Sequence, residues 1–511
     1  MRRELDAEFI AQLDVFAQSR GRNAGRVPVQ PVRRGAHRPR DAFTPVKHQR
    51  QLARDLENLP QFLCREDDIV LVQSKPSAPF LGTLKAAGFA LPEFLELPKT
   101  AELKVRKLGR IRPWAWSPDS LAVLAHLLPS VSGEPRRAGE CFNDRIALLY
   151  SKTWSAGLLG RFLNRLGDPG QFHTSWLCPP SVVGTVARTF EEALAAVAAI
   201  RAGGHHRIVV KQSLGLAGHN AIRLWEPELL ETQRRWIESA VQQPGGVVVE
   251  PWLDRLADFS IQLEMTGAGL RLIGYTGLIN DAKGQFRANT AAPDFARRLP
   301  AGVTSTFVGS KQAVPEILRL YQTLMKMLEE ELRAVAYQGP LGVDAFIYRD
   351  AGGVIRLKPI VEINPRYTMG RVTAELMKDT APGSHGVFRI LSKAALREQG
   401  FDDFRAYAQA LQESQPVHLE GAPVARIRSG TLCLNDPETA EACLATWEVG
   451  RETTALVQHP VHSTSKHHAP RNKIPTLLGK RVRHFPRHPI ITPPTRPTLP
   501  LWLSERFTTA P

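Results

Sequence analysis

Residues 361–371 read Val-Glu-Ile-Asn-Pro-Arg-Tyr-Thr-Met-Gly-Arg. On a β-strand side chains alternate between faces, so Glu362 and Asn364 point the same way and Arg366 follows where the strand runs out. One face therefore offers a carboxylate, an amide oxygen and a guanidinium. A hard cation such as Mg²⁺ takes oxygen ligands and keeps phosphate oxygens in its shell, while an Arg beside it can hold an anion. The spacing points to nucleotide chemistry.

Other segments supply complementary groups in a fixed order. Lys211 ends a strand and is followed by Gln-Ser-Leu-Gly-Leu-Ala-Gly-His-Asn, in which Gly215 and Gly218 let backbone N–H groups approach a polyphosphate. Residues 247–253, Val-Val-Val-Glu-Pro-Trp-Leu, form a strand with Glu250, Trp252 and Leu253 at its exposed end. Backbone groups there could meet an adenine edge, with Asp258 or Asp254 near enough to accept from ribose hydroxyls. Asp344 lies on the first strand of a hairpin whose second strand carries Glu362 and Asn364, so three oxygen ligands converge. Lys152, on an early helix, is a second cation for phosphate. Taken singly, Lys211 reads as a strand-end surface lysine, Glu250 as a strand-end charge, Asp344 as an edge-strand carboxylate and Arg366 as an ion-pair partner. Their joint order favours the functional reading.

These residues need elements to hold them. Leu5, Phe9, Leu13 and Phe16 recur at helical spacing over 4–17, ahead of an Arg/Pro-rich linker from Arg20 to Arg40. The run from Asp67 predicts a short buried strand, and Pro79–Gly88 a helix ending at a C-cap glycine, the opening βα unit of a small α/β domain. Helices are predicted over 143–166, which contains Lys152, and over 189–202, where Glu191 and Glu192 occupy the first turn. Short β-rich runs at 206–211, 247–251, 259–265 and 270–276 predict an α+β sheet domain. A helix over 315–334 leads into strands at 343–348 and 354–363 joined by Asp-Ala-Gly-Gly, and helix is expected again from Arg366 to about Gln412. Trp114 and Trp116 read as anchors of a domain junction, and Lys283, Arg287 and Asn289 as a polar stretch that is either solvated or substrate-facing.

Length and composition bound the answer. At 511 residues, 43% hydrophobic and 23% charged, the chain predicts two or three packed domains. The net charge of +16 sits mostly at the ends. Residues 1–50 carry 11 Lys/Arg against 5 Asp/Glu and residues 459–511 carry 9 against 1, which leaves +2 (16 − 6 − 8) for the middle. A nearly neutral middle excludes a broad basic face and argues against specific nucleic-acid binding. The five cysteines are scattered without a Cys-x-x-Cys pair, which speaks against a disulfide framework or zinc site and for a cytoplasmic protein. No apolar run approaches a membrane span. From residue 459 His, Pro, Arg and Thr dominate, and the histidines His459, His462, His467 and His468 read as an incidental cluster in a disordered tail.

The ordered set resembles the ATP-grasp superfamily of carboxylate-amine/thiol ligases, over roughly residues 67–400. The resemblance implies an ATP-grasp fold of two α+β subdomains behind an N-terminal Rossmann-like domain, with ATP and Mg²⁺ or Mn²⁺ as cofactors. The implied layout is an N-terminal helix and basic linker (1–50), a preceding α/β domain (51–135), the ATP-grasp domain (136–415), an extension (416–458) and a basic tail (459–511). Lys152 and Lys211 would bind phosphates, Glu250 to Leu253 would read adenine, and Asp258 would hold ribose. Asp344, Glu362 and Asn364 would hold the metals, and Arg366 would face the acceptor. Two departures stand out. Gly342 occupies the place where several members carry an Arg, making Arg287 or Lys283 the candidate γ-phosphate cation, and the loop after Lys211 has only two glycines. The implied activity is ATP-dependent C–N ligation of a small-molecule or peptide carboxylate to a nucleophilic co-substrate, without a membrane partner and compatible with a homo-oligomer. A kinase acting on a small acceptor and a non-catalytic ATP-binding scaffold are the alternatives.

Overall fold

The computed structural model describes residues 7–10, 47–133, 137–166, 174–214, 221–280, 286–307, 313–421 and 424–451. The Arg/Pro-rich linker, Gly215, Gly218, Lys283 and the tail from 459 lie outside the described residues.

Three sheets organise the chain. The first is parallel, in the order Glu93–Glu96, Ile69–Val72, Ala7–Ile10, Leu108–Arg112. Ala7–Ile10 is therefore a strand, where the spacing of Leu5, Phe9, Leu13 and Phe16 predicts a helix. Pairing to a parallel neighbour on each side satisfies this backbone, and such tertiary pairing overrides the weak preference of a short amphipathic run. The predicted βα unit is present: Ile69–Val72 is buried throughout, and the helix Ala78–Ala86 starts at Ser77, whose hydroxyl accepts from the Phe80 N–H. Gly88, at φ +91°, takes the left-handed conformation that lets the chain turn back.

The second sheet is antiparallel, in the order Thr185–Ala187, Val247–Pro251, Ile208–Gln212, Ala221–Leu224, and helices Phe190–Ala202 and Glu231–Val241 cover it. The third has nine antiparallel strands, beginning with Ile355–Asn364, Gly339–Arg349, Asp254–Thr266, Gly269–Asn280 and Phe286–Ala291. Two α+β units beside a smaller α/β unit are the layout that the ATP-grasp resemblance implies. On the large sheet, Phe259, Ile261 and Leu263 pack against Ile317, Leu320, Tyr321, Leu324 and Leu328 of the helix Ala313–Ala334. Alternation then turns Asp258, Ser260, Gln262 and Glu264 to the opposite face, which makes that face polar.

Helix was expected without a break from Arg366 to Gln412, but the strand His385–Ser392 interrupts it. That strand, with Cys443–Gly450, Arg426–Cys433 and His418–Glu420, completes the nine-stranded sheet. Its partners lie far away in sequence, beyond the reach of local periodicity. Trp447 packs against Gly386, where an added Cβ would lie 2.1 Å from the indole.

The contacts that fasten the parallel-sheet unit to the rest include one at Trp114 and one at Asp55. Trp114 is fully buried against the Tyr367 ring, 5.8 Å between centroids, and its carbonyl accepts from the Tyr367 N–H, so it does anchor a junction. Asp55, at the end of the helix Lys47–Asp55, accepts through Oδ2 from the backbone N–H groups of Glu441 (3.1 Å), Ala442 (2.5 Å) and Cys443 (2.9 Å). Asp55→Ala would orphan three largely buried donors, and we expect a loss of about 2–4 kcal/mol in urea unfolding at pH 7.

Candidate active site

The strand Ile355–Asn364 ends at Pro365, which cannot continue the ladder, and the chain turns at Thr368. Thr368 caps the helix Met369–Leu376 by accepting from the Arg371 N–H, and its own hydroxyl donates to Gln262 Oε1 at 2.7 Å. The segment that follows the strand is thereby tied to Asp254–Thr266, one strand beyond its ladder partner Gly339–Arg349. In the antiparallel register Asp344 stands opposite Glu362 on one side and Ser260 on the other, while Gly342 stands opposite Asn364. The hairpin inferred from sequence thus brings Asp344, Glu362 and Asn364 onto one face.

Each of these three groups already has a polar partner. Asn364 Nδ2 donates to Asp344 Oδ2 at 3.0 Å, and Arg366 Nη2 donates to Asn364 Oδ1 at 2.8 Å. Lys152 Nζ donates to Glu362 Oε1 at 2.8 Å. Burial, and then the charge of Glu362, push the Asp344 carboxyl up to about 6, against the pull of Ser260, Arg366 and Asn364. Burial alone would raise Glu362 too, but Lys152, Arg366 and Lys211 outweigh it and hold Glu362 below its ordinary range. Two carboxylates facing one another across adjacent strands, one of them forced toward its neutral form, make a place where a cation would relieve repulsion. No group of three or more His, Cys, Asp or Glu side chains suited to a metal occurs among the described residues. Two carboxylates and an amide fit a cation that brings phosphate oxygens with it rather than one caged wholly by protein.

Lys152 reaches this face because the expected long helix is broken. Asp144–Leu149 and Lys152–Leu166 are separate helices, and the Ser151 hydroxyl accepts from the Trp154 N–H at the start of the second. Ser and Thr at such positions cap a helix rather than extend it. Lys152 consequently occupies the first turn, buried, instead of a solvent-facing mid-helix site. The same turn spans both antiparallel sheets: the Lys152 N–H donates to the Ser213 carbonyl, and Ser155 Oγ accepts from the Ile363 N–H.

The second cluster lies where the two antiparallel sheets meet. Glu250 is buried and accepts from two lysines, Lys211 through Oε1 and Lys358 through Oε2, the latter at 2.8 Å. Burial lowers Lys211, with Glu250 opposing and Lys358 reinforcing that shift. The Glu250 carboxylate, held by two buried lysines, is not free to meet a base, so the expected adenine contact of this segment falls to its backbone, as the sequence reading has it. Trp252 N–H is likewise used, donating to the Arg207 carbonyl at 2.8 Å, and Leu253 is buried in the core. The Trp252 ring is flanked instead by Arg223 at 4.9 Å and Arg255 at 5.5 Å from its centroid. Asp258 pairs with Arg255 at 3.2 Å and stands opposite Phe346, which stands opposite Lys358.

Arg287 is not drawn into either cluster. It is exposed on the strand Phe286–Ala291, three strands away from Asp344 in the sheet order, roughly 14 Å at the usual strand spacing. Asn289 is buried and donates to the Gly277 carbonyl, a structural role. Lys358 was missed from sequence. Inside Arg-Leu-Lys-Pro-Ile it reads as the polar member of a strand, and only its register opposite Phe346 shows that it shares the site's face.

Beside Arg366 a pocket opens between the parallel sheet and the hairpin, lined by Arg110, Arg112, Trp116, Tyr337 and Arg366. Its floor is Glu264, which accepts from Arg112 at 3.0 Å and from Arg371 at 2.6 Å. Three guanidiniums against one carboxylate leave the pocket cationic.

No protein-family model and no curated protein matches the chain. Solved structures with a similar course of chain include a biotin carboxylase–beta-gamma-ATP complex from Campylobacter jejuni, at 11% identity, TM-score 0.43, 78% of this chain and 85% of that one. Another is an N5-carboxyaminoimidazole synthetase from Staphylococcus aureus complexed with ADP, at 10% identity, TM-score 0.40, 86% of this chain and 92% of that one. A third is an ADP complex of PurK, N5-carboxyaminoimidazole ribonucleotide synthetase, at 11% identity, TM-score 0.43, 87% of this chain and 94% of that one. The assignment of the site rests on its own residues.

Glu250→Gln would leave Lys211 and Lys358 buried without a counter-charge, and we expect a loss of roughly 3–5 kcal/mol at pH 7 by urea unfolding. Burial alone would raise the Glu250 carboxyl, and the two lysines more than reverse this, placing it far below 4.5. A depressed acid stabilises the fold above its unfolded value and loses that contribution as pH falls below it. Wild type should therefore lose stability below pH 4.5, and Glu250→Gln should lack that component.

Proposed function

We propose that the chain is an ATP-dependent ligase of the ATP-grasp type, which activates a substrate carboxylate for attack by an amine or another nucleophile. The observation that carries the proposal is the convergence of Asp344, Glu362 and Asn364 on one polar face with Lys152 and Arg366 bonded to them. Lys152 and Lys211 would bind phosphate oxygens, and Asp344, Glu362 and Asn364 would hold Mg²⁺ or Mn²⁺. The metal, when bound, supplies charge neutralisation along the phosphates. The remaining work belongs to the chain: positioning donor and acceptor in line, since phosphoryl transfer asks little covalent chemistry of a protein.

Arg366 links the two halves of the reaction. It bonds Asn364 on one side and lines the cationic pocket on the other. An acceptor carboxylate entering between Arg110, Arg112 and Arg366 would be delivered beside the phosphate site, with Trp116 and Tyr337 as walls. Small-molecule or peptide acids suit that lining. No described helix is long and apolar enough to cross a membrane, and all five cysteines are free thiols. Both fit a cytoplasmic enzyme.

The test is ADP release from ATP, screened over amino acids, peptides and small carboxylates with and without an amine. We expect turnover that requires a carboxylate, and a loss of roughly 10²-fold or more in Glu362→Gln with an unchanged circular-dichroism spectrum. Wild-type-like turnover in that folded variant would overturn the assignment. A stable phosphorylated acceptor as the end product would identify a kinase instead.

A further inference from the structure

Lys358 is 2% exposed, on the strand that carries Glu362 and Asn364. It stands opposite Phe346, its Nζ 6.0 Å from that ring's centroid; Phe346 follows Asp344 by two residues, whereas Lys358 precedes Glu362 by four, because the register shifts between the two pairs. Glu250 is its ion-pair partner and also that of Lys211, so this buried cluster holds two cations and one carboxylate. The neighbouring pairs are balanced: Lys152 with Glu362, and Arg255 with Asp258.

A buried charge without a matching counter-charge is costly, and an apolar side chain of similar length would fill the same space without that cost. Lys211 with Glu250 alone would be neutral. Lys358 therefore adds an uncompensated positive charge, among the described residues, between the lysine that ends the strand Ile208–Gln212 and the candidate metal ligands. Such an excess fits a site that is completed by an anion from outside.

We infer that Lys358 is a third phosphate-binding lysine, which contacts the polyphosphate of the bound nucleotide together with Lys211. The inference rests on the proposed function and adds a residue outside the motif that suggested it. On binding, phosphate oxygens supply the missing negative charge, and Glu250 continues to orient both ammonium groups.

The test compares ADP, AMP and adenosine on the full chain, by displacement of a fluorescent ADP analogue, in wild type and Lys358→Met. If Lys358 contacts phosphate, ADP affinity falls roughly 10- to 100-fold in the variant, whereas adenosine changes less than about twofold, so the ADP-to-adenosine preference collapses. Lys358→Arg, which keeps the charge, should restore that preference to within a few fold. Because Glu250 keeps Lys211 as a partner, the melting temperature of Lys358→Met should not fall. An equal drop for ADP and adenosine, or no drop for ADP, overturns the assignment of Lys358 and leaves the nucleotide site standing. Failure of wild type to bind ADP at all overturns the proposed function, and this inference with it. If Lys358→Met does not fold, Lys358→Gln is read by the same criteria.

Discussion

The Glu250 carboxylate is the point on which the two antiparallel sheets depend. It sits on the small sheet and binds Lys211 from that sheet and Lys358 from the large one. A carboxylate so far from water is tolerable only beside a counter-charge, and the cations in turn tolerate burial only because it is there. The geometry is correspondingly strict: neither sheet can shift without exposing one partner or stranding another. The start of the helix Lys152–Leu166 repeats the device nearby, with its backbone on Ser213 of one sheet and its side chain on Glu362 of the other.

From that constraint the site follows. The large sheet places its apolar face against the helix Ala313–Ala334, so alternation commits Asp258, Ser260, Gln262 and Glu264 to the other side. The two strands of the hairpin add Asp344, Phe346, Lys358, Glu362 and Asn364 to the same face by register. Asp344, Glu362 and Asn364 with Lys152 lie at one end, Lys358 and Lys211 with Glu250 at the other, and the polar pocket lies beyond Arg366. Glu264 completes the frame by joining Arg112 of the parallel-sheet unit to Arg371 of the following helix, which fixes one wall of the pocket relative to the metal ligands.

Much of this was legible in the sequence because its carriers are local. Glu-x-Asn-x-Arg with Asp344 across a Gly-Gly turn specifies a hairpin face by alternation alone, and Val247–Pro251 and Ala313–Ala334 announce themselves by β-branched content and by period. What stayed hidden depends on distant partners. Ala7–Ile10 is a strand only because Ile69–Val72 and Leu108–Arg112 flank it, and His385–Ser392 only because Phe286–Ala291 and Cys443–Gly450 do. Lys358 and the true partners of Glu250 were invisible for the same reason: charge balance in a core is a property of neighbours in space. Arg287 shows the converse, a plausible residue in the right stretch of chain that the sheet order carries three strands away from the acids.

The most direct measurement is a crystal structure of the full chain grown with ADP and Mn²⁺, with the metal located by its anomalous scattering. The account predicts Mn²⁺ bound by Asp344, Glu362 and Asn364, with the ADP phosphates against Lys152 and Lys211. Metal bound away from those three side chains, or phosphates outside the lysine cluster, would contradict it.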